Sequence, residues 1–276
     1  MSTWITASCD ANGIKIHFTR TGGSKPPVIL LHGLAANGTC WTPLARALAG
    51  EYDVVMPDAR GHGKSSVPDR GYRYEDHAND VVGLMKALGL SSPILLGHSM
   101  GGMTAAVVAS RKPKLVRSLV LADPTFLCPE VQREVRDSDV ADQHRRMLAM
   151  SVDQLMAEAR TRHPHRSDEI LELLSRARLQ TSLCAFDVLT PPNPDYRILV
   201  SAIDVPSLLV VTDNGVVSTA VAEEVRHLNP NIQVEQIRDA GHGAHLDQPE
   251  RFATVVKSFL RSVGNQRPGT MDGNTR

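Results

Sequence analysis

An apolar run and a glycine-flanked serine stand next to each other in the sequence Pro93-Ile94-Leu95-Leu96-Gly97-His98-Ser99-Met100-Gly101-Gly102. The apolar run predicts a buried strand, and the small residues of 103–109 predict a helix that begins directly after the serine. Between them lies Gly-x-Ser-x-Gly, in which the glycines leave room for a sharp, strained turn. This strand–turn–helix context is that of a nucleophile elbow, so we predict that Ser99 presents its hydroxyl above the sheet edge as a nucleophile.

A second turn, His32-Gly33-Leu34, ends an earlier apolar run. We predict that this turn presents the backbone N–H of Leu34 to the same sheet edge as Ser99. Together with the N–H of Met100, this donor would form an oxyanion hole. We also expect residues of these two motifs to contact the substrate, namely His32, Gly33 and His98.

The nucleophile needs a histidine base, which on this type of sheet comes last in the chain. Six of the 11 histidines follow Ser99. His242 lies between the predicted strand Gln233–Ile237 and a helix that begins near Pro249. We therefore predict that His242 is the base, and that the alternative, His245, is a loop or pocket-rim residue.

The third member, a carboxylate that orients the histidine, should end a strand between Ser99 and His242. Asp213 directly follows the apolar run Leu208–Thr212 and is our preferred candidate. Asp123 ends the strand after the nucleophile helix and is the alternative acid. Both assignments stay open on the sequence, and the carboxylate that is not used is expected to cap a helix or lie in a loop.

Short apolar runs alternate with amphipathic helical patterns along most of the chain. Because continuous apolar runs are typical of strands buried on both faces, the pattern predicts an α/β fold with a mostly parallel, twisted sheet and helices on both sides. No strand is predicted from 124 to 203, where three helical patterns precede a proline-rich loop. We therefore predict a core at 1–123 and 204–263, a helical cap at 124–203 over the carboxyl ends of the strands, and a disordered tail at 264–276.

The sequence resembles the alpha/beta-hydrolase superfamily over roughly 14–263. The resemblance is carried by Leu31-His32-Gly33, by Asp58-Ala59-Arg60-Gly61-His62-Gly63-Lys64-Ser65, by the serine elbow, and by Ala240-Gly241-His242 followed by Pro249 and Phe252. It implies Ser99 as nucleophile, His242 as base and a cap over the site. Such proteins often carry Gly-Asp-x-Asp after the penultimate strand, whereas this chain has Thr212-Asp213-Asn214-Gly215. Some relatives instead place the acid where Asp123 lies.

The composition excludes several classes of protein. The 276 residues include 30 Lys plus Arg and 30 Asp plus Glu, so the chain lacks the cationic excess that drives binding to nucleic acid or anionic membranes. Its 42% hydrophobic content favours a folded core over disorder. No Lys or Arg precedes Lys15 and no apolar run could span a bilayer, so we expect a cytoplasmic protein without a secretory leader. We expect a monomer or homodimer whose partner is a small-molecule substrate.

Neither a metal nor a cofactor is predicted. The four cysteines lie far apart without the spacing of a zinc site, and we expect them to be reduced thiols. The pairs His242/His245 and His163/His165 lack a third ligand at a suitable spacing. The expected chemistry therefore relies on side chains and backbone groups alone.

Together these motifs predict a serine hydrolase that cleaves an ester, lactone or amide bond of a small molecule through an acyl-enzyme. Two alternatives stay open: carbon–carbon bond hydrolysis of vinylogous diketo acids, whose enzymes have a similar serine elbow, and ligand sensing without turnover. The predicted cap is rich in arginine, and we expect Arg145, Arg146 or an arginine of 160–166 to bind a substrate carboxylate. Because only 11 residues are aromatic, we expect an aliphatic, methionine-containing and polar pocket.

Overall fold

The computed structural model describes residues 4–264, and within them a sheet of eight strands forms the centre of the molecule. The strands are β1 Ile5–Ala11, β2 Ile14–Arg20, β3 Pro27–Leu31, β4 Asp53–Pro57, β5 Ile94–His98, β6 Ser118–Ala122, β7 Ser207–Asn214 and β8 Ile232–Gly241. Their spatial order is β1-β2-β4-β3-β5-β6-β7-β8. The pairs β1/β2 and β2/β4 are antiparallel, and the remaining pairs are parallel.

Helices occupy most of the chain between the strands. The α-helices of the described residues are α1 Thr42–Leu48, α2 Tyr74–Ala87, α3 Met100–Arg111, α4 Pro129–Asp137, α5 Val140–Met147, α6 Val152–Arg162, α7 Asp168–Leu179, α8 Tyr196–Ala202, α9 Thr219–Leu228, α10 Ala244–Asp247 and α11 Pro249–Gly264. None of these helices is both long and apolar enough to cross a bilayer. The predicted tail lies outside the described residues, except for Gly264, which ends α11.

The pleat of β3 shows why its apolar run is buried on both sides. Val28 and Leu30 belong to one buried cluster, which includes apolar residues of α1 and α11. Ile29 and Leu31 belong to another, which includes apolar residues of α2, α3 and α8. Successive side chains of a strand point to opposite faces of the sheet, so helices cover both faces. This confirms the predicted fold class.

The winding of the chain reverses at β3, because β4 lies on one side of it and β5 on the other. In open α/β sheets, ligands bind at such a reversal, in the crevice outside the carboxyl ends of the strands. The turn His32-Gly33-Leu34 follows β3, and Ser99 follows β5. Asp123 after β6 and His242 after β8 lie at the same sheet edge. The topology therefore brings the predicted site residues together.

Helices alone lie between β6 and β7 among the described residues, namely α4 to α8 and a 3-10 helix at Leu183–Leu189. The last of these helices, α8, belongs to the core, because Tyr196, Leu199 and Val200 pack in the same buried cluster as α3. The earlier helices contribute walls to a cavity at the sheet edge.

Two buried histidines make the stability of the fold sensitive to acid. Burial lowers the pKa of His77 to about 3, with repulsion from Arg60 as the next cause. Burial likewise lowers the pKa of His245 to about 3, with Arg166 as the next cause. Both rings therefore stay neutral in the folded protein around pH 5, whereas in the unfolded chain they bind a proton near pH 6.5.

We expect the free energy of unfolding to fall as the pH is lowered from about 7 to 5. The unfolded state binds more protons in this range, and each histidine contributes up to about 1.4 kcal/mol per pH unit. Urea denaturation at several pH values measures this slope. The variant His77→Leu should reduce this slope by the contribution of one histidine, up to about 1.4 kcal/mol per pH unit. An unchanged slope would show that His77 is already charged in the folded state.

Candidate active site

Ser99 occupies a strained turn between β5 and α3, with φ of 53° and ψ of −118°. A Cβ atom added to Gly97 would overlap the backbone of Gly101, and one added to Gly101 would overlap the carbonyl group of Leu31. The turn therefore needs glycine at both positions. The Ser99 hydroxyl forms no hydrogen bond to any residue of 4–264, which leaves it available to a bound molecule.

Ser99 and His242 line one cavity of about 640 Å³, together with Leu34 and Met100. Half of the other residues that line it are aliphatic or methionine, including Val131, Val135, Val140, Met147, Val188 and Leu189. Two aromatic rings, those of Tyr74 and Phe186, also line it. A largely apolar cavity with a few convergent polar groups is typical of a small-molecule site.

His242 pairs with Asp123. The Nδ1–H of His242 donates to Oδ2 of Asp123 over 2.5 Å, and the aspartate is 1% exposed. Since Nδ1 carries the proton, Nε2 of the neutral ring is left as the acceptor. The ring is thereby oriented as a general base requires.

The loop after β7 holds the Asp123 carboxylate from the other side. The N–H groups of Val216 and Val217 donate to its two oxygens, each over 2.8 Å. A Cβ atom added to Gly215 would lie 2.6 Å from the Asp123 carboxylate, so the loop approaches closely because glycine occupies that position. These two donors satisfy both oxygens of the Asp123 carboxylate in its buried position.

The preference for Asp213 as the partner of His242 is corrected by this geometry. Asp213 is exposed, and its oxygens accept from Nε2 of Gln236 over 2.8 Å and from the N–H of Asp239 over 2.7 Å. Strand β7 continues through Asn214, so Asp213 lies within the strand, and its carboxylate bonds to residues of β8 instead of to His242. Asp123, the alternative acid, is the carboxylate that His242 contacts.

The His32 ring fixes the turn that carries Leu34. His32 is 3% exposed; its Nδ1–H donates to the carbonyl of Gly33 over 2.8 Å, and its Nε2 accepts from the N–H of Ala59 over 2.9 Å. Burial is the main cause that lowers the pKa of this ring, which keeps it neutral and able to accept at Nε2. His32 thus joins the turn after β3 to the loop after β4.

His62 holds the next residue of the same turn. Its Nε2 accepts from the N–H of Ala35 over 3.3 Å, and its Nδ1–H donates to the carbonyl of Arg60 over 2.9 Å. Ala35 has a φ of 59°, so the turn is strained at this point. The N–H of Leu34 donates to no group of 4–264 and lies at the wall of the cavity that contains Ser99.

A family model described as the alpha/beta hydrolase fold matches residues 26–249. The chain belongs to the alpha/beta hydrolase family. It is 32% identical over 267 residues to N-formylmaleamate deformylase of Pseudomonas putida, with 94% of this chain and 98% of the relative covered. It is 26% identical over 273 residues to 2-(acetamidomethylene)succinate hydrolase of Mesorhizobium japonicum, with 93% and 95% covered.

In structure, the chain is similar to E-2-(acetamidomethylene)succinate hydrolase, with a TM-score of 0.80, 24% identity, and 94% of this chain and 100% of that chain covered. This similarity supports the fold. The named relatives are hydrolases, and this member of the alpha/beta hydrolase family is a hydrolase as well.

A second cavity of about 680 Å³ in this alpha/beta hydrolase is lined by the three residues that were predicted to contact the substrate, namely His32, Gly33 and His98. It adjoins the first, because Leu34, His242 and Arg178 line both cavities. His98 is half-buried, and its Nε2–H donates to the carbonyl of His242 over 2.8 Å. The ring therefore supports the position of His242.

His245 has a structural role in the hydrolase. Its ring stacks on Trp41 with the ring centroids 4.2 Å apart, and it is 8% exposed. Its Nδ1 has no hydrogen-bond partner among residues 4–264. Among these residues, no three histidine, cysteine, aspartate or glutamate side chains come together in a way that could hold a metal ion.

Arg145 and Arg146 do not line either cavity, which corrects their predicted placement. Arg145 pairs with Asp142 and Arg146 pairs with Asp139 over 3.4 Å, and both arginines are more than half exposed. The buried residue of α5 is His144, so the two arginines lie on its solvent side.

Arg178 on α7 is a cavity residue that the sequence reasoning missed. It lines both cavities, and no carboxylate of residues 4–264 forms an ion pair with it. Burial lowers the pKa of its guanidinium, with Arg162 and Arg166 as further causes. A signal was present in the sequence: Leu171, Leu174 and Arg178 are spaced i, i+3, i+7, which places an arginine on the apolar stripe of the helix.

Proposed function

We propose that this alpha/beta hydrolase cleaves an amide or ester bond of a small carboxylated molecule, with Ser99, His242 and Asp123 as its catalytic triad. The observation that carries the proposal is one cavity lined by Ser99, by a histidine paired with a buried carboxylate, and by Arg178, an arginine without an ion-pair partner among residues 4–264.

The reaction begins when the Ser99 hydroxyl attacks the carbonyl carbon of the substrate and Nε2 of His242 takes its proton. Asp123 stabilises the imidazolium that forms, through the Nδ1–H hydrogen bond of 2.5 Å. Catalytic hydrogen bonds are often loose in ligand-free enzymes, and the one between Ser99 and His242 forms as substrate fills the cavity. His242 then gives its proton to the leaving amine or alcohol.

The N–H groups of Leu34 and Met100 stabilise the oxyanion of the tetrahedral intermediate. Support comes from their place at the wall of the Ser99 cavity and from the two histidines that fix the Leu34 turn. Fixed donors stabilise developing charge without reorganising during the reaction. In the second half-reaction, His242 activates a water molecule, which attacks the acyl-serine and releases the acid product.

Arg178 binds a carboxylate of the substrate. A half-buried guanidinium without a carboxylate partner favours an anion, since the pair regains electrostatic stabilisation that water would otherwise supply. The names of two relatives, N-formylmaleamate deformylase and 2-(acetamidomethylene)succinate hydrolase, both describe N-acyl compounds that carry carboxylates. Helices α4 to α7 act as a cap, because each of them supplies residues to the wall of the Ser99 cavity.

Replacing Arg178 with methionine is expected to raise KM for a carboxylated substrate by about 10- to 100-fold, since a charge-assisted hydrogen bond contributes about 1.5–3 kcal/mol. Its effect on the neutral ester p-nitrophenyl acetate should be less than about threefold, because that ester carries no charge for the arginine to bind. Steady-state kinetics with N-formylmaleamate and this ester measure both effects.

The matched control is Arg145→Met, which removes an exposed arginine of the same segment and should leave both substrates unaffected. A panel of esters, lactones, N-acyl amides and vinylogous diketo acids, each with and without a carboxylate, tests the bond type. Equal turnover of charged and neutral members, or equal effects of the two variants, would contradict the proposal. Turnover of the diketo acids alone would instead favour carbon–carbon hydrolysis.

A further inference from the structure

A nearly buried ion pair links the cap to α10, the short helix that follows His242. Arg166 lies between α6 and α7, and its Nε–H donates to Oδ1 of Asp247 over 2.7 Å. The side chains are 9% and 18% exposed. The other arginines of α4 to α7 that form ion pairs are at least 54% exposed. Pairs of that exposed kind contribute little to stability, whereas a buried pair is costly to break.

The carboxylate of this pair also holds the backbone beside the catalytic histidine. Oδ2 of Asp247 accepts from the N–H of Gly241 over 2.9 Å, and Gly241 directly precedes His242. On the other side, His98 donates to the carbonyl of His242. Two hydrogen bonds therefore fix the backbone of the loop, one at Gly241 and one at His242. The bond at Gly241 depends on an arginine of the cap, because its acceptor is the carboxylate that pairs with Arg166.

We propose that Arg166 is a positioning residue: by pairing with Asp247 it holds His242 at the distance from Ser99 that catalysis needs, so that activity depends on the docked position of the cap. This inference rests on the proposed triad. Without the guanidinium, Asp247 keeps a half-buried charge that is no longer compensated. The carboxylate then turns toward water, the N–H of Gly241 loses its acceptor, and His242 loses its fixed place.

The variant Arg166→Met is expected to lower kcat for p-nitrophenyl acetate by about 10- to 100-fold, because a misplacement of about 1 Å costs up to about 100-fold in rate. KM for this ester should change by less than about threefold. A substrate-binding role of Arg166 would raise KM instead. The control is Arg176→Met, which removes another Nε-donating arginine of the cap, paired with Glu172 over 2.8 Å at an exposed position, and should leave kcat unchanged.

Two further variants keep the test independent of lost folding. Arg166→Lys keeps the charge and should recover a large part of kcat. Adding Asp247→Asn to Arg166→Met should lower kcat no further, because both changes break one interaction. Thermal melting identifies variants that fail to fold.

The inference is wrong if Arg166→Met has the same kcat as Arg176→Met, or if adding Asp247→Asn to Arg166→Met lowers kcat further. It is also wrong if Arg166→Met raises KM while kcat is unchanged. These outcomes differ from a failure of the proposed function, in which Ser99→Ala would keep its activity. Loss of activity in Ser99→Ala together with normal kcat in Arg166→Met overturns the positioning role alone.

Discussion

Replacing Ser99 with alanine is expected to lower kcat by about 10⁴- to 10⁶-fold, whatever ester or amide is used as the substrate. In the proposed mechanism the hydroxyl supplies the new covalent bond of the acyl-enzyme. The other hydroxyls that line the cavity, those of Tyr74 and Thr125, are hydrogen-bonded to each other and are not paired with His242. The N–H groups of Leu34 and Met100 remain, so residual catalysis by the oxyanion hole alone is expected.

The fold should tolerate this substitution. The Ser99 hydroxyl forms no hydrogen bond to residues 4–264, and alanine meets the same backbone strain as serine at a φ of 53°. The control is Ser110→Ala, at the other end of α3, where the hydroxyl donates to the carbonyl of Val107. A fluorophosphonate should label the wild type and Ser110→Ala but not Ser99→Ala. Retention of more than about 1% of kcat by Ser99→Ala would rule out the serine mechanism.

The fold could be predicted largely because its central strands carry continuous apolar runs. Such runs are buried on both faces, as Val28 and Ile29 show by packing into opposite clusters. Strand β1, Ile5–Ala11, was not predicted. Its side chains are mostly exposed or half-buried because it pairs with one neighbour at the sheet edge, so its sequence lacks the apolar signal.

The arginines show that the position of a side chain on its helix decides whether it lines the cavity. Clustering of positive charge pointed to Arg145 and Arg146, which lie on the solvent side of α5 because that helix buries the stripe that contains His144. It also pointed to the arginines of 160–166, and of these Arg162 lines both cavities. Arg178 lies on the buried stripe of α7. Whether a charged side chain lines the cavity therefore depends on the face of the helix that it occupies. Arg178 and Ser99 are far apart in the sequence, so the sequence alone does not show that they line the same cavity.

The sequence ranked Asp123, the carboxylate that His242 contacts, only as the alternative acid, for a related reason. Asp123 and Asp213 both directly follow an apolar run, so their positions along the chain are equivalent. Burial and direction distinguish them: Asp123 turns inward at a φ of 44°, while Asp213 continues β7 toward solvent. The close approach that Gly215 permits between the loop and Asp123 is a three-dimensional property that strand patterns do not encode.

Replacing Asp123 with asparagine is expected to lower kcat by about 10⁴-fold, the cost typical of converting a triad carboxylate to an amide. An amide cannot stabilise the imidazolium, and its NH₂ group favours the wrong tautomer of His242. Stability should also fall by about 1–3 kcal/mol, because the single amide oxygen cannot serve both Val216 and Val217 and leaves a buried N–H unpaired.

Asp213→Asn provides the matched comparison, since it is the same chemical change at the other carboxylate that follows a strand. Asp213 is exposed, and its partners Gln236 and Asp239 lie at the surface, so we expect kcat within about twofold of the wild type and little change in stability. Measurement of kcat and of urea denaturation for both variants separates the two acids. A large loss in Asp213→Asn with normal activity in Asp123→Asn would mean that the loop after β7 rearranges to bring Asp213 to His242 during turnover.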